Sequence, residues 1–120
     1  MNTVSLHPYF KAHEGKLDAF RALLPQFIER TATEETCLFY DFSICGDEIY
    51  CREAYIGGEG VQAHLSNVGD LIQQALQISD LVRLEVHGPA GELEKLKPDL
   101  DPLGARWFVF AGGLDRCGRP

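Results

Sequence analysis

The sequence has no long hydrophobic run and no excess of basic residues. No stretch approaches the ~20 consecutive apolar residues that a membrane-spanning helix needs. Lysine and arginine number 11 against 18 aspartates and glutamates, so the formal net charge is −7. Contacts to nucleic-acid phosphates need a basic face, which an acidic chain of this kind does not supply. We therefore expect neither nucleic acid nor membrane as a partner.

The four cysteines do not form a recognisable metal or redox motif. None of Cys37, Cys45, Cys51 and Cys117 belongs to a CxxC pair, so the spacing predicts no zinc site. Residues 1–5 lack a basic segment followed by an apolar core, which predicts no secretory signal and a cytoplasmic protein with free thiols. The Gly- and Arg-rich residues 112–120 predict a flexible tail that exposes Cys117.

The 120 residues indicate one domain, over residues 1–111. Apolar residues alternate over 4–11, which predicts a strand; Pro8 places that strand at an edge or in a bulge. A helix over 14–31 follows, with a kink or break before Pro25. Its predicted apolar stripe is Leu17, Phe20, Leu24, Phe27 and Ile28.

Two strands over 37–44 and 49–55 flank a turn at Gly46-Asp47, the pattern of a tight hairpin. With the turn centred there, Asp41 faces Arg52 as an opposite-charge pair, which supports this register. Tyr40 then lies opposite Glu53, to which its hydroxyl could donate.

A second helix is predicted over 59–78, bent at Gly69, and a strand over 80–87 follows it. A short helix over 90–97, ended by Pro98, and a strand over 106–110 complete the chain. This order predicts an α+β fold of the ferredoxin-like class, a split β-α-β with an antiparallel sheet and an extra C-terminal short helix and strand. Two helices cover one face of such a sheet, and apolar residues occur on both faces. We therefore expect a homodimer formed through the open sheet face.

Three short segments, residues 34–41, 52–55 and 63–65, resemble the antibiotic biosynthesis monooxygenase family. The matching positions are Glu34, Cys37, Tyr40, Glu53, Tyr55 and His64. The resemblance covers residues 4–87, so the stretch 88–110 is an addition. It implies a dimeric α/β barrel, and characterised relatives oxidise aromatic polyketides or quinols with O₂ and no bound cofactor. A branch of relatives degrades haem with an Asn on the first strand and a His late in the second helix, and this sequence has neither.

The candidate catalytic residues are His64, Glu53 and Tyr40. A histidine can act as a general base near neutral pH, here on a substrate phenol, with Glu53 and Tyr40 orienting it or the substrate. The alternative interpretation is structural: His64 hydrogen-bonds to Glu53 or to backbone and holds the helix on the sheet. Candidate substrate-binding residues are Tyr55, Phe39 and Trp107, although aromatic residues on strands are more often ordinary core. His7 and His87 are interpreted as exposed surface histidines.

The resulting hypothesis is a cofactor-independent monooxygenase of a small quinol-like or polycyclic aromatic substrate. One alternative is a non-catalytic dimer of the same fold that binds a small hydrophobic or aromatic molecule. Another is an isomerase or decarboxylase, because the same base in an apolar cavity would serve proton transfer at carbon.

Overall fold

A five-stranded sheet with all its helices on one face makes up the fold in this computed structural model, which describes residues 2–114. In chain order the elements are β1 Thr3–Ala12, α1 Leu17–Thr31, β2 Cys37–Cys45, β3 Glu48–Ile56, α2 Gly57–Asn67, α3 Gly69–Ile78, β4 Ser79–Gly88, α4 Ala90–Glu94, α5 Lys97–Leu100, a 3₁₀ turn Asp101–Leu103, and β5 Arg106–Val109.

The strand order β2-β3-β1-β4-β5 is that of a split β-α-β fold extended by one strand. The first four strands are antiparallel, and β5 adds to β4 in parallel at the sheet edge. The predicted α+β, ferredoxin-like class is confirmed, and the fifth strand makes the sheet a mixed one.

The hairpin of β2 and β3 has the predicted register. Asp41 lies opposite Arg52 and Tyr40 opposite Glu53, and Arg52 donates to the Asp41 carboxylate at 2.8 Å. Gly46 in the turn has a φ of +60°, which a residue with a side chain adopts only with strain. Register decides which side chains face the helices, so this turn fixes the position of Glu53.

Of the two positions predicted from Pro8, the sheet edge is wrong, because β1 pairs with β3 on one side and with β4 on the other. The bulge is found one residue beyond it: Tyr9 pairs with Arg83 and Phe10 with Leu81. Val82 is therefore an extra residue in β4. It is 53% exposed, because the bulge shifts the alternation of inward and outward side chains.

Helix α1 runs without a break through Pro25, so of the expected kink or break the break is wrong. Proline removes one backbone hydrogen bond of the helix. Leu23 and Phe27, which lie on either side of Pro25, are buried against the sheet and hold the helix in place there. The predicted stripe is off by part of a turn, since Leu23 is buried and Ile28 is 49% exposed.

The second helical stretch is two helices, α2 and α3, that meet at Val68, next to the glycine expected to bend it. Pro98 lies in the first turn of α5 instead of ending a longer helix, a position where its missing N–H leaves no helix bond unmade. Two apolar clusters lie between the helices and the sheet. Among the described residues no helix has the length and apolar character needed to cross a membrane.

Candidate active site

A carboxylate lies in the middle of the sheet, on its helix-covered face. Alternation along β3 directs Ile49, Cys51, Glu53 and Tyr55 under the helices, and all four are buried. Glu53 is 4% exposed, and a charged group in such a place needs partners.

Helix α2 brings His64 to this carboxylate. Gly57 follows β3 directly with a φ of +72°, so the chain turns back over the sheet at once. At Gly60 a Cβ would lie 3.0 Å from the Cβ of Tyr55, so only glycine allows this close approach of helix and strand. As a result His64, which is 3% exposed, has its Nε2 3.5 Å from Glu53 Oε1.

A second carboxylate, Glu34, binds the other nitrogen of the same imidazole. Glu34 lies in the loop between α1 and β2, and its Oε2 is 2.9 Å from His64 Nδ1. Asn67 donates to the same Oε2 at 2.8 Å and also to the Arg30 carbonyl at 2.9 Å. The only sequence signal for Glu34 was its place in the family resemblance, and nothing indicated Asn67.

The buried chain of groups therefore runs Glu34, His64, Glu53, Tyr55. Tyr55 donates its hydroxyl to Glu53 Oε1 at 2.5 Å. Burial raises the pKa of Glu53, against the opposing influence of His64 and of the Tyr55 hydrogen bond. Burial likewise raises the pKa of Tyr55, so its phenol keeps its proton. The buried Glu53 carboxyl and the adjacent His64 imidazole are the candidate acid–base groups of this site.

This pair faces a cavity of about 80 Å³ between the sheet and the helices. Its wall is aliphatic and aromatic apart from Glu53, His64, Tyr40 and Cys51. Tyr40 meets the His64 ring edge-on at 5.1 Å between centroids, and burial raises the pKa of its phenol. The expected donation from Tyr40 to Glu53 is wrong: Tyr55 makes that bond, because alternate residues of β3 share a face. The catalytic roles of His64, Glu53 and Tyr40 stay predictions.

The three residues expected to bind substrate lie off this wall. Tyr55 is fully buried beneath α2. Phe39 lies on the open face of the sheet, where Arg52 stacks over its ring at 4.4 Å. Trp107 on β5 donates its indole N–H to Asp101 at 2.7 Å and packs against the C-terminal part of the core. Their binding roles are untested predictions.

No group of three or more His, Cys, Asp or Glu side chains within residues 2–114 is arranged to hold a metal ion. Cys37, Cys45 and Cys51 are free thiols. Burial raises the pKa of Cys37 to about 11, which makes it a poor nucleophile at neutral pH. Cys117 and most of the tail expected over 112–120 lie outside the described residues.

No protein-family model matches the chain, and no curated protein does. Solved structures do match. MupZ from Pseudomonas fluorescens has 38% sequence identity and a TM-score of 0.91, over 97% of this chain and 96% of that protein. A candidate antibiotic biosynthesis monooxygenase from Chloroflexus aurantiacus has 25% identity and a TM-score of 0.62, over 75% of this chain and 95% of its own.

The protein Rv0793 from Mycobacterium tuberculosis shares the fold at a TM-score of 0.65 and 24% identity, over 73% of this chain and 95% of its own. Similarity to MupZ, by contrast, extends over nearly all of this chain. The fold is therefore like that of the antibiotic biosynthesis monooxygenase-like structures.

Proposed function

The chain belongs to the same protein family as MupZ, and from this premise we propose that it is an enzyme that transfers protons to and from a small, largely apolar substrate group. The observation that carries the proposal is the buried pair of Glu53 and His64, 3.5 Å apart at the wall of an apolar cavity. A carboxyl whose pKa is raised by burial is suited to general acid–base work near neutral pH.

The first candidate reaction is cofactor-independent oxygenation of a quinol-like substrate. It is supported by the family resemblance and by the likeness to the Chloroflexus aurantiacus protein. The Glu53–His64 pair takes the proton of a substrate phenol or enol, and the resulting anion reduces O₂. When a ring CH₂ lies beside the enol, that carbon becomes a new carbonyl with one atom of O₂. The other oxygen atom leaves as water, and the substrate supplies all four electrons.

A second candidate is proton transfer at carbon, as in an isomerase. The cavity volume favours it, because about 80 Å³ is well below the roughly 150 Å³ of a cavity that holds benzene. A polycyclic ring system enters such a space only after the wall has moved. An allylic shift needs only the acid–base pair: one proton leaves one carbon and another is added two carbons away.

Both reactions are measured with purified protein. Oxygen uptake is followed with hydroquinone and with anthrone, and conversion of 4-methyl-4-penten-2-one to its conjugated isomer is followed by proton NMR. We expect turnover in one assay, and a loss of about 10²–10⁴-fold in Glu53→Gln, the usual contribution of a general acid–base group. A Glu53→Gln protein that is folded and fully active would overturn the proposed role.

We also propose that the open face of the sheet is covered by a second copy of the chain. That face carries aromatic side chains in mutual contact, such as Tyr9 and Tyr50 with ring centroids 4.7 Å apart, and the 37% exposed Phe108. Sedimentation equilibrium at micromolar concentration tests this: a mass near twice 13.4 kDa is expected, and the mass of one chain would contradict it.

A further inference from the structure

The cavity at Glu53 and His64 is too small to hold a whole metabolite. Its volume of about 80 Å³ accommodates a short aliphatic group, and a ring only after the wall has shifted. A substrate that reaches the acid–base pair therefore has most of its atoms outside the cavity. The position of those atoms depends on what lies beyond the wall.

A groove of about 400 Å³ lies directly beyond the wall, between the α2–α3 corner and the segment of α5 and the 3₁₀ turn. Cavity and groove have four lining residues in common: Leu65, Ile72, Leu100 and Leu103. These four side chains are the partition between the two spaces. Leu103 is 47% exposed, so it can swing outward without leaving a packed position.

The outer wall of the groove differs from the cavity in chemistry. It carries Gln62, Ser66, Gln73 and Asp99, three neutral hydrogen-bonding side chains and one carboxylate. Among residues 2–114 no lysine or arginine lines it, and the chain as a whole has a net charge of −7. Neutral amide or hydroxyl groups match these walls, whereas an anion would meet Asp99 without a compensating cation.

The C-terminal segment that supplies Leu100 and Leu103 is held against α2. Glu92 accepts a hydrogen bond from the backbone N–H of Gly58 at 2.8 Å, and Lys95 pairs with Glu59 at 2.9 Å. Beyond α5 the chain turns at Gly104, whose φ is +77°. The base of the segment is thus anchored, and Leu100 and Leu103, which follow it, line the cavity.

We propose that the substrate is elongated, with a small apolar end that reacts at Glu53 and His64 and a neutral, hydrogen-bonding chain that lies in the groove. Leu65, Ile72, Leu100 and Leu103 form the gate through which the apolar end passes. The C-terminal segment is then the specificity-determining part of the molecule. The inference rests on the proposed function for the location of the reacting end, and it adds the class of substrate.

Binding of unreactive probe molecules tests this substrate class without any turnover. N-(2-hydroxyethyl)-4-methylpentanamide carries the apolar end and a neutral chain; 4-methylpentanoate has the same end with an anionic terminus, and isobutanol is the apolar end alone. Dissociation constants come from NMR titration of backbone amide shifts. We expect the amide to bind at least 10-fold more tightly than the other two, with shifts in both the cavity and the groove.

Gln73→Leu removes a hydrogen-bond donor of the groove. We expect it to raise the dissociation constant of the amide about 5-fold, which corresponds to one neutral hydrogen bond. Gln74→Leu is the matched control, because Gln74 is the next residue of the same helix, is also exposed and lies outside the groove. Equal binding of the amide and isobutanol, equal effects of the two substitutions, or no binding of any probe would each overturn the inference. If the protein binds the amide tightly but is inactive in both turnover assays, the proposed function is wrong while this inference about the substrate class stands.

Discussion

The two faces of the sheet each carry histidine, carboxylate and tyrosine side chains, but in opposite surroundings. Under the helices, His64 lies between Glu34 and Glu53, and the side chains of all three are at most 7% exposed. On the open face, His87 bonds Glu85 at 2.9 Å with its own side chain 32% exposed. There the His7 ring lies 4.3 Å from His87 and its Nδ1 2.8 Å from the Tyr50 hydroxyl.

The comparison shows that residue type alone does not make an acid–base site. Water screens the charges of the open face, and each group there keeps access to solvent if its partner is lost. In the buried cluster a lost partner cannot be replaced by water, so proton positions are set by the protein. The difference can be tested by making the same substitution on both faces.

The largest expected effect is on turnover, in whichever assay of proton transfer or oxygen uptake the protein supports. His64→Gln should lower kcat about 10³-fold, because it removes the proposed acid–base partner of Glu53. His87→Gln is the counterpart on the open face and should keep kcat within about 2-fold. Circular dichroism checks that both variants are folded, and equal losses in the two would mean that burial does not distinguish the sites.

The next effect is on the free energy of unfolding, measured in urea. Glu34→Ala should cost about 3–5 kcal/mol, since it leaves the buried His64 Nδ1 without a partner and removes one of the two acceptors of the Asn67 amide. Glu85→Ala should cost less than about 1 kcal/mol, because Arg83 and His87 then turn to water. A cost for Glu34→Ala as small as that for Glu85→Ala would contradict the assignment of a tightly held buried cluster.

Local chemistry explains why much of the fold was predictable from the sequence. The Gly46 turn and the pairing of Asp41 with Arg52 set the hairpin register, and that register placed Glu53 inside. The failures arose where tertiary contacts override local preference. Pro25 is accommodated because the helix around it is held by packing. Pro8 indicated an edge or a bulge, and local pattern did not decide between them; the fold places β1 in the sheet interior with a bulge beside Pro8.

The candidate site also contains residues that the sequence indicates and residues that only the fold reveals. His64 and Glu53 could be found because each is a polar residue in an apolar pattern. Glu34 and Asn67 could not be assigned a role, since a loop acid and a helix-end amide look like solvated residues until the fold brings them to the imidazole. The candidate substrate-binding aromatics have only their residue type in common, and the fold places Phe39 and Tyr55 on different faces of the sheet.

A third test uses the pH dependence of the buried acid. The pKa of Glu53 is raised in the folded protein, mainly by burial. Its contribution to stability is therefore fully present below about pH 4.5, the ordinary value for the carboxyl, and is lost as pH rises through the folded-state value. Glu53→Gln should flatten this decline, so that the variant gains stability over the parent protein between pH 5 and pH 9. A parallel pH profile for parent and variant in urea unfolding would refute a raised pKa.

The smallest effect, of opposite sign, belongs to the open face. Partial burial, and then the neighbouring His87, lower the pKa of His7, while Glu85 opposes them. A histidine whose pKa is lowered contributes stability above pH 6.5, its ordinary value, and that contribution is lost as pH falls through the folded-state value. His7→Gln should reduce the loss of stability between pH 7.5 and 5 by less than about 1 kcal/mol. Urea titrations of the parent and the variant at the two pH values measure this difference, and a steeper loss in His7→Gln than in the parent would show that protonation of His7 stabilises this face.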